Sequence, residues 1–329
     1  MAESAKKVCI KAPCKINLHL CIGERRPDGF HNIESLFACL AFADTLKFVS
    51  SEKEGECLLF TDPKISHGEE NGAFIPPEDN LVFKTVSLFR KQTGYKDGLK
   101  IYLKKQIPIG AGLGGGSSNA ASTLLALNFL AENRASTEEL MEMAAILGSD
   151  VPFFLSGGIA FVSGRGELIE PLETASLNRL WVVLVKPPFS SNTANAYKFL
   201  DISRQSAKNA KIETKFSKPE SSFAPRTEGS TRLYESSLQE DPGNWPFKND
   251  FLPVFLGAGG EKSRVYQAIL EDLRKAGASF ASLSGAGSCC FGVFLIKKTA
   301  EKAAKYLNRQ GNFARLTFFL ANRANPVVE

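Results

Sequence analysis

The chain has 329 residues, of which 43% are hydrophobic and 23% are charged. These fractions are those of an ordinary soluble globular protein, and the length predicts about two domains. The formal net charge of +5 at pH 7 suits a protein that handles anionic metabolites. Because no basic stripe with interleaved aromatic residues occurs, the sequence does not indicate nucleic-acid binding.

The composition also predicts a cytoplasmic protein with no membrane partner. No stretch approaches the roughly 20 apolar residues that a membrane span needs, and the first residues lack the apolar core of a signal peptide. The seven cysteines lack CxxC spacing, and the three histidines share no metal-ligand spacing with them. We therefore expect reduced thiols and no zinc; the sequence leaves the oligomeric state open.

The first half of the chain predicts strands followed by helices. Apolar patterns indicate strands at residues 8–11, 16–22, 33–40, 45–49 and 57–60. A helix over 80–91 follows the capping-type residues Glu78, Asp79 and Asn80. The remaining elements are a charged strand over 99–107, helices near 118–132 and 137–147, a short helix after 152, and a hairpin of strands near 157–162 and 167–172.

The second half predicts the order β-α-β-β-α-β, which is typical of a ferredoxin-like domain. Its elements are a strand at 181–186, helices at 194–200 and around 265–273, strands at 279–283 and 289–296, a helix around 300–307 and a strand at 314–320. Residues 202–243 are rich in Ser, Lys and Glu, which predicts a partly disordered polar insertion. Mixed strands with helices gathered in runs favour an α+β protein, with domains over 1–178 and 179–329.

Five glycines lie within the seven residues from Gly110 to Gly116, directly before a helical pattern rich in Ala and Leu. Glycine allows positive φ and close approach to a bulky anion, and the first turn of a helix directs unpaired N–H groups at it. A flexible linker does not usually open directly into a helix. The segment therefore predicts a phosphate-binding loop made of Pro108, Ile109, Gly110, Ala111, Gly112, Leu113, Gly114, Gly115, Gly116, Ser117 and Ser118.

Two named phosphate motifs do not fit this loop. The glycine spacing satisfies the dinucleotide pattern, but the strand before it is alternating and charged, whereas a parallel sheet needs a continuous apolar run. The Walker A motif needs a lysine before its Ser or Thr, and Gly116 is followed directly by Ser117.

Three further segments carry candidate functional residues. In residues 12–18, Lys15 and Asn17 lie on the same face of a predicted strand. Residues 26–31 contain a Pro-Asp-Gly turn. In residues 148–152, Asp150 lies at a helix N-cap position. Each segment alone also has a structural interpretation: an exposed edge lysine, a hairpin tip, and a helix cap.

Together these segments resemble the GHMP kinase superfamily, with the glycine loop similar to its phosphate-binding motif and the turn Gly285–Gly287 similar to its C-terminal glycine motif. Within it, they are similar to kinases that act on a cytidine diphosphate derivative of methylerythritol in isoprenoid precursor synthesis. The resemblance implies an N-terminal domain like domain 2 of ribosomal protein S5 and a ferredoxin-like C-terminal domain.

The resemblance also implies a reaction, in which ATP donates its γ-phosphoryl group to a hydroxyl of the methylerythritol moiety. It implies that Asp150 is the base and that Lys15 keeps it ionised and neutralises charge on the transferring group. It implies further that Ser118 reaches Mg²⁺ and that Lys105 and Asn80 lie near the nucleotide.

On the substrate side, the resemblance implies that Phe30 stacks on the cytosine and that His31 hydrogen-bonds the cytosine edge. Tyr197 is a candidate second aromatic face, and Asn17 a further substrate contact. Three alternatives stay open: another GHMP kinase such as homoserine or mevalonate kinase, an NAD-dependent oxidoreductase based on the glycine spacing, and a non-enzymatic nucleotide sensor.

Overall fold

The computed structural model describes residues 6–51, 53–61, 79–172, 175–213, 230–323 and 325–328, with side chains for all of these except 207–213 and 230. The strands are β1 Lys7–Arg25, β2 His31–Ser51, β3 Cys57–Thr61, β4 Gly98–Lys104, β5 Ile159–Ser163, β6 Leu168–Leu172, β7 Trp181–Lys186, β8 Phe280–Leu283, β9 Cys290–Phe294, β10 Phe313–Phe318 and β11 Val327–Val328. The helices are α1 Leu81–Thr93, α2 Gly115–Leu130, α3 Thr137–Leu147, α4 Val151–Ser156, α5 Thr193–Glu213, α6 Ser230–Gln239, α7 Phe251–Gly257, α8 Gly260–Lys275 and α9 Lys297–Arg309.

Two long antiparallel strands, β1 and β2, form the centre of the first sheet. Its order is β11-β1-β2-β4-β3, with β5 paired to β2 and β6 paired to β5. The sequence predicted each long strand as two shorter ones. The predicted break was wrong because both strands continue through a bulge, where the pairing passes from Pro13–Ala43 to Cys14–Leu40.

Four helices, α1 to α4, accompany this sheet. Helix α2 packs against β1, α1 and α4, and its residues are buried almost throughout. The core between them includes Ile10, Phe48, Val86, Leu124 and Leu127. Within the described part of the chain, no helix is long and apolar enough to cross a membrane.

The second sheet has the strand order β10-β7-β9-β8, with every neighbouring pair antiparallel. Helices α8 and α9 pack against it. Since α8 lies between β7 and β8 in the chain and α9 between β9 and β10, the predicted β-α-β-β-α-β arrangement is confirmed.

A shared apolar core joins the two sheets. Ile16 and Leu36 of the first sheet and Leu184 and Phe291 of the second belong to one buried cluster. Residues Val182–Val185 of β7 are fully buried, because α9 covers one face of the strand and the first sheet the other. After β10 the chain returns to the first sheet, where β11 pairs with β1. The boundary at 178/179 stays a prediction.

The polar segment 202–243 is largely helical where the structure describes it. Helix α5 extends to Glu213, well past the predicted end at residue 200, and α6 covers Ser230–Gln239. The partly disordered insertion stays a prediction. A Ser-, Lys- and Glu-rich composition is shared by disordered segments and solvent-exposed helices, and tertiary contacts decide between them. Arg204 of α5, for example, donates to the carbonyls of Ile22 and Gly23. Residues 214–229 of the predicted insertion lie outside the described residues.

Candidate active site

The glycine loop passes directly into the first turn of α2. Gly110, Gly112 and Gly114 have φ of +64°, +74° and +69°, which L-residues rarely adopt. The helix begins at Gly115, three residues before its predicted start, so the last two glycines are helical. No side chain caps this end. The first N–H groups of α2 are therefore suited to bind an anion.

The second half of the chain holds the loop backbone in place. The carbonyls of Gly110 and Ala111 accept hydrogen bonds from the backbone N–H groups of Ser191 (3.1 Å) and Cys289 (3.0 Å). The carbonyl of Gly112 accepts one from the Ser284 hydroxyl at 2.9 Å. These bonds order the loop before a ligand binds, which reduces the entropy cost of binding.

Lys15 and Asp150 meet beside this loop. Lys15 Nζ lies 3.3 Å from Asp150 Oδ2, donates to Asn17 Oδ1 at 2.7 Å, and stands 4.1 Å from the Phe37 ring centroid. The lysine is 5% exposed and the aspartate side chain 32% exposed. Asp150 occupies the N-cap position of α4 but makes no capping hydrogen bond. Its carboxylate therefore remains open to both Lys15 and solvent.

The loop and this ion pair are in direct contact. The Lys15 N–H donates to the Leu113 carbonyl at 3.0 Å. A side chain at Gly114 would begin 3.0 Å from Lys15 Cγ and 2.9 Å from Phe154 Cζ. Glycine at this position thus allows the lysine stem to lie against the start of α2.

Lys105 belongs to a buried polar cluster that the sequence did not reveal. Its ammonium pairs with Asp44 and donates to Asn119 Oδ1 at 3.0 Å. Asp44 is fully buried and also accepts the N–H groups of Gln106 (2.6 Å) and Ile107 (2.8 Å). Asp44 was missed because it lies where a gap between two strands was predicted; a lone aspartate among apolar residues was the available signal.

Asn80 and Ser118 both lie near the start of α2. Asn80 Oδ1 accepts a hydrogen bond from the Val82 N–H at 3.0 Å and so caps α1. Leu81, the first residue of α1, lies 3.5 Å from where a side chain at Gly116 would begin. The Ser118 hydroxyl is buried and has no hydrogen-bond partner. Such a group is rare in native proteins and is consistent with a ligand at this position.

No group of three or more His, Cys, Asp or Glu side chains in the described residues is arranged to hold a metal ion. Magnesium in nucleotide sites uses one or two protein ligands and completes its shell with phosphate oxygens and water. The unpartnered hydroxyl of Ser118 fits such a site.

His31 and Tyr197, predicted to bind the base, form a stacked pair. Their ring centroids are 5.1 Å apart with an angle of 25°. Burial raises the pKa of Tyr197 to about 12, and the Asp150 carboxylate adds to this shift. The His31 Nδ1 lies 3.0 Å from the Gly23 carbonyl, and Nε2 lies 3.3 Å from Asp201 Oδ1. A hydrogen bond from this ring to a base would have to compete with both.

Phe30 stands apart from this pair. Its ring is 55% exposed, and the Arg165 guanidinium lies 5.2 Å from its centroid. The ring therefore offers a face on which a planar base can stack. The turn that carries Arg165 lies close to Ser149, next to the catalytic candidate Asp150.

Comparisons with known proteins identify the class of the protein. Residues 80–158 match the family described as GHMP kinases N terminal domain, and residues 244–312 match GHMP kinases C terminal. The fold and the glycine loop thus define a small-molecule kinase of the GHMP class.

Relatives with similar sequences show which family within this class the chain belongs to. The chain is 37% identical to 4-diphosphocytidyl-2-C-methyl-D-erythritol kinase of Thermodesulfovibrio yellowstonii over 90% of this chain and 93% of that protein. It is 34% identical to the enzyme of the same name from Prochlorococcus marinus, over 90% and 89%. The chain therefore belongs to the 4-diphosphocytidyl-2-C-methyl-D-erythritol kinase family.

Solved structures support the fold. A crystal structure of 4-(cytidine 5'-diphospho)-2C-methyl-D-erythritol kinase superposes with a TM-score of 0.70 at 28% identity, covering 94% of this chain and 98% of that one. Homoserine kinase from Cytophaga hutchinsonii gives a TM-score of 0.65 at 16% identity, covering 100% and 98%. The second likeness concerns the fold alone.

Proposed function

We infer that the protein transfers the γ-phosphoryl group of ATP to the 2-hydroxyl of 4-diphosphocytidyl-2-C-methyl-D-erythritol, releasing ADP and the 2-phosphate. This is a step of the non-mevalonate route to isoprenoid precursors. Family membership supports the substrate, and the Lys15–Asp150 pair beside the glycine loop is the observation that supports the chemistry. The proposed compartment is the cytoplasm, where thiols stay reduced.

Asp150 acts as the base in this proposal. Its partly exposed carboxylate accepts the proton of the 2-hydroxyl, while Lys15 stabilises its charged form and the charge that grows on the transferring group. Asn17 supports this by accepting a hydrogen bond from the lysine, which fixes the ammonium. Positioned proton transfer typically contributes ~10²–10⁴ in rate.

The phosphates of ATP bind at the glycine loop. The backbone N–H groups from Gly112 to Ser117 surround the β- and γ-phosphates, and Lys105 and Asn80 lie on the nucleotide side. The Ser118 N–H, which the sequence also suggested, already donates to the Gly114 carbonyl at 2.9 Å. Little covalent chemistry falls to the protein in phosphoryl transfer, so positioning and electrostatic stabilisation supply most of the remaining acceleration.

Magnesium enters with ATP as part of the substrate. Ser118 is the proposed protein ligand, since its buried hydroxyl has no other partner. When bound, the ion neutralises the charge of the β- and γ-phosphate oxygens.

The cytidine end binds at the aromatic residues. Phe30 offers an exposed ring, and base stacking on such a ring is worth ~1–3 kcal/mol. His31 and Tyr197 form the other side of the proposed base site, and Asn17 is a further substrate contact next to the reacting hydroxyl.

Incubation of the protein with MgATP and the cytidylyl substrate tests this function. ADP release should depend on that substrate, and ³¹P NMR should show a new phosphate monoester. Homoserine and mevalonate serve as control acceptors, because related folds phosphorylate other alcohols. ADP release with either control but not with the cytidylyl substrate would place the protein elsewhere among the GHMP kinases.

A further inference from the structure

One face of α5 lies against the end of the β1–β2 hairpin. Tyr197, Asp201 and Arg204 are four and three residues apart, so they project from the same side of the helix. Arg204 donates to the Ile22 carbonyl at 2.8 Å and to the Gly23 carbonyl at 3.0 Å. The helix is thereby held next to His31, which begins β2.

His31 lies between two hydrogen-bond acceptors. Its Nδ1 is 3.0 Å from the Gly23 carbonyl, and its Nε2 is 3.3 Å from Asp201 Oδ1. Either ring nitrogen of a histidine can donate a hydrogen bond, depending on the tautomer. Each nitrogen of His31 therefore faces a partner within the protein.

Among the charged groups near this ring, Asp201 is the direct partner of His31. Arg204 pairs with Asp250 at 3.1 Å, so its positive charge is balanced outside the His31 pair. The phenol of Tyr197, stacked on the ring, stays neutral because burial raises its pKa to about 12. Asp201 is the carboxylate that faces the imidazole directly.

We propose that Asp201 is a positioning residue for the cytidine site: its carboxylate fixes the orientation of the His31 ring, which lies between Asp201 and the Gly23 carbonyl. The fixed ring supports Tyr197 by stacking. With both nitrogens occupied, the His31 ring contributes its face to recognition, and its nitrogens do not read the base. The location of cytidine here rests on the proposed function.

The state of the ring is measured by ¹⁵N NMR of protein labelled at histidine, without substrate. A His31→Gln variant assigns the signals. Asp201→Asn should shift the Nε2 signal of His31 more than its Nδ1 signal, because Nε2 faces the altered side chain. An Nε2 signal that does not move overturns the proposal.

The consequence for binding is measured by calorimetry with CDP and by steady-state kinetics. Loss of a charge-assisted hydrogen bond in Asp201→Asn should weaken CDP binding about tenfold. The KM for ATP and the kcat at saturating substrate should change little, and Asp201→Glu should restore part of the CDP affinity. Asp272→Asn, in helix α8, is the matched control and should bind CDP normally.

Unchanged CDP binding in Asp201→Asn, or an equal loss of ATP affinity, would overturn the positioning role. A wild-type protein that fails to phosphorylate the cytidylyl substrate would count against the proposed function alone, because the NMR signals report the contact between His31 and Asp201 without any reaction.

Discussion

Asp150 stands at the N-terminus of α4, yet its side chain caps nothing. Pro152 in the first turn has no N–H, so this helix end offers one donor fewer than usual. The carboxylate turns instead toward Lys15, whose ammonium is almost fully buried. At the scale of the residue, the position of Asp150 would suit a helix cap, but its carboxylate pairs with the distant Lys15 instead.

Substituting Asp150 tests its proposed role as a base. Asp150→Asn keeps the shape and removes the proton acceptor, so kcat should fall about 10²–10⁴-fold. The affinity for ATP, measured by calorimetry, should stay nearly intact because the loop is unchanged. Asp97→Asn, in an exposed turn, is the control. A near-normal kcat in Asp150→Asn would show that another group accepts the proton.

His19 predicts a pH effect on stability. Burial lowers the pKa of His19 from 6.5 to about 4, and the charge of Lys248 adds to the shift. The unfolded chain takes up this proton near pH 6.5 and the folded chain only near pH 4. Stability is therefore lost as the pH falls through this window, by about 2 kcal/mol at pH 5.

Urea unfolding at pH 7 and pH 5 measures this loss. In the wild type, the backbone N–H of Lys248 donates to His19 Nδ1. The side-chain oxygen of glutamine in His19→Gln can accept the same hydrogen bond, but glutamine does not titrate between pH 7 and pH 4. The variant should therefore lose about 2 kcal/mol less than the wild type between the two pH values. Equal losses in both proteins would show that His19 does not titrate as expected.

At the scale of the element, two glycines of the loop region differ in the contacts that a side chain would make there. Gly112 has a φ of +74°, and a side chain there would collide with the Ser284 carbonyl of the turn before β9. Gly116 lies in the first turn of α2, and a side chain there would begin 3.5 Å from Leu81, an ordinary contact. The two glycines therefore differ in what they tolerate.

Two alanine substitutions measure this difference. Gly112→Ala should lower the free energy of unfolding by at least 1–2 kcal/mol, roughly the penalty of a left-handed L-residue, and raise the KM for ATP. Gly116→Ala should be neutral or stabilising by up to about 1 kcal/mol, since alanine favours the helix. Chemical denaturation and kinetics check both. Equal behaviour of the two variants would contradict the assigned contacts.

Residues 248–251 connect several elements of the site. The side chain of Asn249 donates to the carbonyls of Leu283 and Gly285 at 2.8 and 2.9 Å, next to the loop. Asp250 accepts the Ile22 N–H at 2.9 Å and pairs with Arg204. This segment therefore joins the phosphate side of the site to the proposed cytidine side.

At the scale of the whole molecule, the two sheets share an apolar core, so we expect them to unfold together. Leu184 is fully buried in this core. Leu184→Ala should lower the free energy of unfolding by about 2–5 kcal/mol. Tryptophan fluorescence follows the second half, and hydrogen exchange of β1 and β2 follows the first; both should shift equally.

The control for this substitution is Leu58→Ala in β3, whose side chain is exposed. It should change stability by less than about 0.5 kcal/mol. Two separate transitions in the Leu184→Ala protein would indicate that the proposed domains, 1–178 and 179–329, are independent folding units.

The sequence by itself determined what local patterns encode. Helix α3 begins at Thr137 after a capping box of Ser136 and Glu139, and β7 is the apolar run Trp181–Lys186, both at their predicted bounds. The glycine loop could be recognised from the sequence because its glycines stand where the backbone needs positive φ, which is a local requirement. Lys15 and Asp150 were proposed as a pair through a resemblance in short motifs, and the two side chains lie 3.3 Å apart.

Only the tertiary structure decided which distant groups face each other. Asp44 could not be assigned from the sequence, because its partner Lys105 and its burial arise from strand pairing far along the chain. Asp201 reaches His31 because α5 packs against the end of the β1–β2 hairpin, a contact that no local pattern in either segment reveals. Local patterns fix the dihedral preferences of a few neighbouring residues, whereas burial, charge pairing and loop contacts depend on surfaces that exist only after the two sheets have packed.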